Sequence, residues 1–322
     1  MAGRRAIVLV AGCLIATQPQ AAEPQFRFQN NFWVNLHHLL RGDARRRPLN
    51  LPPAMKLAQL TDAERAAWTS SLDAYADVGR RDLLFDAGLV RINSALAQVV
   101  SEDTLTAPSL DPAIVVALNR AAPVYRAHGW ARQKKINDDW IAALRPLMDR
   151  HASSMAAALA KVYRVEWPDR PIIVDACTEA GPNGGYTTGG PPGTAAHTVI
   201  EAGNRGYQGE MAFEMVFHEA SHADAIGARI VAMIDEAGRK QQVTPHKDLW
   251  HVLIFYTAGE MARRELGHVG DSHYMPYAYR YDVYEPRWQK LRDAVVSDWQ
   301  PYLDGTVELD AAVAKLVRDA RQ

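Results

Sequence analysis

Glu210-Met211-Ala212-Phe213-Glu214-Met215-Val216-Phe217-His218-Glu219-Ala220-Ser221-His222 is the stretch that decides how this chain is organised. Its first eight residues are apolar-rich and lack proline and glycine, so they suit a helix, and residues 223–232 continue without proline. Its last five read H-E-x-x-H. On a helix, residues i and i+4 lie about 40° apart around the axis and about 6 Å apart along it. His218 and His222 can then reach one tetrahedral zinc at about 2.0–2.1 Å. Glu219 stays near that face, placed to take a proton from water rather than to bind the metal. Chance would produce the motif about 0.016 times in a chain of this composition, so its surroundings must decide.

Just upstream, Pro171-Ile172-Ile173-Val174-Asp175-Ala176 and His197-Thr198-Val199-Ile200-Glu201 read as two strands. The Gly/Pro-rich residues 181–193 between them read as a surface loop or a cleft rim. No Gly-Lys-Ser/Thr follows, so they do not form a phosphate-binding loop. Residues 30–164 are helical in pattern. Asn30-Asn31 opens an apolar segment through Leu40, and Thr61-Asp62-Ala63-Glu64 fits a capping box before a helix reaching about Val78. Further helices are expected over residues 89–100, 112–128 and 137–163. Downstream, helices are expected over residues 209–237, 245–267 and 285–322. The fold class expected is mainly α (α+β), with a helical N-terminal half, a small sheet, the motif helix and C-terminal helices. The regions expected are residues 1–22, 23–165 and 166–322, the last two able to form one integrated domain.

Composition narrows the function classes. The 322 residues are 48% hydrophobic and 23% charged, which is ordinary globular usage and excludes disordered, fibrous and disulfide-scaffold classes. With 36 basic and 37 acidic residues, the net charge of −1 gives no basis for binding nucleic acid through its charge. Arg4 and Arg5, an apolar run over residues 6–16 and the terminal Ala21-Ala22 describe a secretory signal peptide over residues 1–22. The protein is therefore expected to be exported, periplasmic or secreted, with no membrane span once that segment is removed. Val10-Ala11-Gly12-Cys13 resembles a lipobox, but Cys13 is followed by more apolar residues, so lipoprotein anchoring is the less favoured expectation. Cys177 is then the one cysteine left. It cannot form an internal disulfide and is expected to be a buried small hydrophobe.

A catalytic zinc needs a third protein ligand and an open position. The candidates are His246, His251 and Glu260. His246 follows Pro245 at a helix start and is expected to face solvent. His251 and Glu260 are nine residues apart, which on a continuous helix puts them roughly 180° apart, so only one should face the metal. Glu260 is the first choice, because a carboxylate among apolar neighbours needs a cation. Arg263 and Arg264 at i+3 and i+4 offer a plain alternative to zinc. His251 is the second choice.

Over roughly residues 197–267, the strand, the H-E-x-x-H helix and a later Glu-bearing helix resemble the zincin metallopeptidases of gluzincin type. The Gly and third His of the extended metzincin motif are absent from residues 223–229. Asp224 departs from the gluzincin consensus, which has an apolar residue there. The resemblance implies Zn2+ held by two His and one Glu, Glu219 as general base, and peptide or protein as substrate. It also implies a downstream Tyr or His that donates to the oxyanion, for which His273 and Tyr277 are nominated. The function expected is an exported zinc-dependent metallohydrolase acting as a peptidase. The alternative is a catalytically inactive zinc-binding or interaction protein on the same scaffold. Elsewhere, His37-His38 is expected to pack or face solvent, residues 41–47 to form a solvated arginine-rich loop, and Asp175, Glu179, Glu201 and Asp224 to be capping or surface groups.

Overall fold

The computed structural model describes residues 25–84, 86–181, 183–267 and 274–321. The expected signal peptide, Cys13 and His273 lie outside the described residues. Helix makes up 61% of the chain, beside one four-stranded mixed sheet, so the protein is mainly α within an α+β arrangement.

The sheet comprises β1 (Phe26–Gln29), β2 (Ile172–Cys177), β3 (Gly185–Thr188) and β4 (Ala196–Glu201), in the order β1-β2-β4-β3. β1, β2 and β4 run parallel, and β3 is an antiparallel edge. Helices cover both faces, as a largely parallel sheet requires. The period-two alternation sends Ile172, Val174, Ala176, Ala196 and Ile200 into one core and Cys177, Tyr186 and Val199 into the other.

Two of these strands contradict the sequence reading. β1 went unrecognised because its partner lies 146 residues away (Phe26 pairs with Ile172), and a parallel pair leaves no local hairpin signal. β3 lies inside residues 181–193, where a loop was expected. Glycine and proline content hid a strand that is only four residues long. β1 also joins the two expected regions, since residues 23–165 supply a strand to the sheet of residues 166–322.

The N-terminal helices are α1 (Phe32–Arg46), α2 (Asp62–Ala74), α3 (Ala87–Leu96) and α4 (Pro112–Tyr125). Asn31 caps α1 by accepting from the amides of Trp33 and Val34 at 2.9 and 3.0 Å. The Thr61–Glu64 capping box starts α2 as expected. A π-helical segment, Arg126–Trp130, leads from α4 into α5 (Ala131–Tyr163), a 33-residue helix that packs against β2 and the motif helix.

The remaining helices are α6 (Glu210–Ala220), α7 (Asp224–Gln241), α8 (Leu249–Gly267), α9 (Tyr277–Arg280), α10 (Gln289–Asp298), α11 (Gln300–Leu303) and α12 (Leu309–Asp319). The single helix expected over residues 209–237 is broken inside the motif. α6 stops at Ala220, the amides of His222 and Ala223 make tight i→i+3 bonds to Glu219 and Ala220, and α7 starts afresh at Asp224. Pro301 and Gly305, at φ 71°, likewise interrupt the expected C-terminal helix.

α1 and β2 each correct a further expectation. The helix extends through Arg46, so most of the arginine-rich stretch is not a loop. Asp43 is buried in it and accepts from the amides of Ala54 and Met55. Asp175 is no surface group. Fully buried on β2, it accepts from Gln29 Nε2 at 2.9 Å and pairs with His197 Nε2 at 2.7 Å. Cys177 is buried, as expected, and burial pushes its thiol pKa well up.

Candidate metal centre

α6 and α8 pack side by side in opposite directions, and their contacts fall at four-residue steps. A side chain at Gly259 would approach the carboxylate of Glu214 to 3.1 Å. One turn on, the rings of His218 and Phe255 have centroids 3.8 Å apart. Another turn on, the centroids of His222 and His251 are 5.1 Å apart. The i, i+4 spacing of Glu214 and His218 on α6 and of His251, Phe255 and Gly259 on α8 keeps those side chains on the shared seam, and the tight turn after Ala220 brings His222 onto it.

That seam gathers three imidazoles. One ring nitrogen from each of His218, His222 and His251 lies within 4.8 Å of the others. Nε2 of His218 and Nε2 of His222 are 3.2 Å apart, close to the separation of about 3.3 Å for two ligands of one tetrahedral zinc. Burial, reinforced by mutual repulsion among the rings, holds the His218 pKa well below its ordinary value. Burial lowers His222 to about 3 and His251 to about 4. All three imidazoles are thus neutral near pH 7, the form that binds a metal. The donor set fits a divalent zinc-like ion with three nitrogen ligands. Trp250 stacks on His251 with centroids 5.1 Å apart, and Trp288 meets it edge-on at 5.4 Å, forming an aromatic wall.

Glu260, the first choice for third ligand, points elsewhere. It accepts from Arg263 at 2.7 and 2.8 Å and from Arg264 at 2.7 Å, and those bonds hold its pKa below the ordinary value although burial opposes them. The helix is continuous, so His251 faces the metal side and Glu260 the arginines, as the half-turn offset requires. This departs from the two-His/one-Glu set that the gluzincin resemblance implied.

Glu219 follows His218 in sequence and is not part of the imidazole cluster. Its Oε2 accepts from Thr187 Oγ1 at 2.9 Å, and Thr187 shares a 2.8 Å hydrogen bond with Thr198, its register partner on β4. Burial raises the Glu219 pKa to about 7, and the Thr187 bond offsets part of that shift. The adjoining β3 residue is bare. A Cβ on Gly185 would stand 3.1 Å from Glu219 Oε1. Sequence reasoning missed Thr187. The signal available was the period-two spacing of Gly185 and Thr187, which puts both on the α6 face.

Of the nominated oxyanion donors, Tyr277 is half-buried. Its amide donates to Glu214 at 2.9 Å, and its ring packs on Tyr207 with centroids 5.4 Å apart. Tyr207 itself escaped the sequence reading. Its hydroxyl donates to the Asn183 carbonyl at 2.7 Å and lies 3.2 Å from where a Cβ on Gly184 would be, one residue from the glycine beside Glu219. His37 and His38 are buried far from solvent, bonded to Tyr75 at 3.0 Å and Tyr186 at 2.9 Å respectively.

No protein-family model, curated protein or solved structure matches the chain. Among the described residues, no helix is long and apolar enough to cross a membrane.

Proposed function

We propose that this protein is an exported zinc-dependent hydrolase of zincin type, acting on peptide bonds. The observation that carries the reading is a cluster of three imidazoles, with the buried carboxylate of Glu219, the residue after His218, held separately by Thr187. His218, His222 and His251 would hold the ion. Zinc bound there supplies Lewis acidity, which polarises a carbonyl and makes water acidic near neutral pH. Glu219, poised near pH 7 and fixed by Thr187, accepts the proton of the attacking water and returns it to the leaving amine. β3 is the last strand in the sheet order, and we read its outer backbone as the edge along which an extended peptide lies. The basic-apolar-small pattern of residues 1–22 supports export.

The test has two parts. Protein purified without chelator should carry one zinc per chain. The Glu219→Gln variant should keep that zinc and the fold while losing cleavage of a peptide that the wild type cuts. Stoichiometric zinc with no cleavage of any peptide would instead favour a metal-binding protein without turnover. Absence of zinc would remove both readings.

A further inference from the structure

A cavity of about 550 Å³ lies between α1, the segment 79–84 and the start of β3, and its lining reaches the candidate site only through Gly185. Four of its lining residues are arginines, Arg41 and Arg45 from α1 and Arg80 and Arg81 from the facing segment, against a single carboxylate, Asp82. Arg41 is 4% exposed. Its guanidinium donates to the Arg81 carbonyl at 2.7 Å, while its Nε, also buried, has no hydrogen-bond partner. Arg45 is exposed and makes no ion pair among the described residues. Arg80 and Arg81 share Asp77, and Arg81 also lies 3.9 Å from Asp86, both carboxylates being outside the lining. Gly185 and Tyr186 also line the cavity, and a Cβ on Gly185 would stand 3.1 Å from Glu219 Oε1.

A buried guanidinium with an idle donor, backed by three more cations, is costly unless an anion visits it. Arginine forks match carboxylates in geometry and bind them with charge-assisted hydrogen bonds. We infer that this cavity is a specificity pocket that receives a carboxylate of the peptide substrate, one end of the substrate lying in it while the chain passes Gly185 to Glu219. The inference rests on the reading of Glu219 as the hydrolytic base and deepens it by naming the substrate class. The carboxylate belongs either to an internal Asp or Glu side chain or to the peptide's C-terminus, and the arginines recognise the same chemistry in both.

The full-length Glu219→Gln protein, as purified, is titrated calorimetrically with short end-capped peptides carrying one Glu at each position in turn, with their Gln twins, and with Gln peptides left free at the C-terminus. A Glu peptide or a free-C-terminus peptide should bind about tenfold or more tighter than the capped Gln twin. The first result assigns the side chain as the source, the second the C-terminus. Reversing two exposed charges in Arg45→Glu/Arg80→Glu should abolish the preference, and high salt should weaken it. Equal binding of all peptides, or a preference that survives the double charge reversal, would overturn the inference. Cleavage by the wild type is scored separately. Cleavage with no carboxylate preference sinks the pocket and leaves the hydrolase. Carboxylate-selective binding with no cleavage sinks the hydrolase and leaves the pocket as a binding site.

Discussion

The ring of Phe255 lies over that of His218, with centroids 3.8 Å apart and planes inclined by 31°, and the same phenylalanine touches His251 at 4.9 Å. One apolar side chain therefore sets the orientation of two imidazoles from different helices. Phe255→Ala should cost about 3 kcal/mol of stability and weaken zinc binding by roughly tenfold, because both rings gain freedom. Chemical denaturation and zinc competition titration measure the two effects. Unchanged zinc affinity would show that Phe255 is packing alone.

His251 and Glu260 give opposite results under substitution. His251→Ala should weaken zinc binding more than about a hundredfold with little effect on folding. Glu260→Gln should leave zinc binding unchanged and cost about 1 kcal/mol, since its arginine partners are partly solvated. Zinc loss in the Glu260 variant with retention in the His251 variant would restore the two-His/one-Glu set.

Thr187→Val removes the hydroxyl that fixes Glu219 without changing side-chain volume much. The lost bond to a charged group predicts a fall in kcat of about tenfold or more, with zinc content intact. Gly185→Ala should also lower kcat/KM, since its methyl would press on the Glu219 carboxylate. Steady-state kinetics on a cleaved peptide decides both.

Glu214, one helical turn before His218 on α6, gives stability a pH signature. Burial raises its pKa from 4.5 to about 7, against the opposing bonds from Tyr274 and the amide of Tyr277. The folded state thus holds a proton that the unfolded chain releases. The stabilisation is complete below pH 4.5 and is lost as pH rises through about 7, amounting to about 3 kcal/mol. Glu214→Gln should lack this component, so the wild type should lose stability relative to the variant between those pH values. A pH-independent difference would show that the carboxyl titrates normally.

The buried Asp175–His197 pair ties β1 to the rest of the sheet through Gln29. Asp175→Ala leaves a buried imidazole and an amide without their acceptor, and should destabilise the fold by about 3–5 kcal/mol. Unfolding by denaturant should show a lowered midpoint with the zinc still bound at low denaturant.

The sequence made the local features legible. The Thr61 capping box, the helical N-terminal half and the strands around Ile172 and Val199 depend on neighbours in sequence, and the structure has them close to the expected positions. His218, Glu219 and His222 stood out because their spacing is itself the chemistry. What depended on distant pairing was hidden. β1 needs a partner 146 residues on, β3 is recognisable only by its contact with β4, and Thr187 acquires its role from the carboxylate across from it. The preference for Glu260 over His251 followed its apolar neighbours. Its nearest cations, Arg263 and Arg264, sit on its own helix and satisfy it without a metal.

β1 also has a consequence for how the chain must be made. It precedes the other strands, yet its one neighbour among the described strands, β2, follows more than a hundred residues later. Phe26 of this strand packs edge-on against Phe217, the residue preceding the first motif histidine, with centroids 5.1 Å apart. A chain trimmed past Gln29 would therefore leave β2 with an unpaired border of backbone amides and carbonyls, inviting self-association, and would remove a prop from the motif helix.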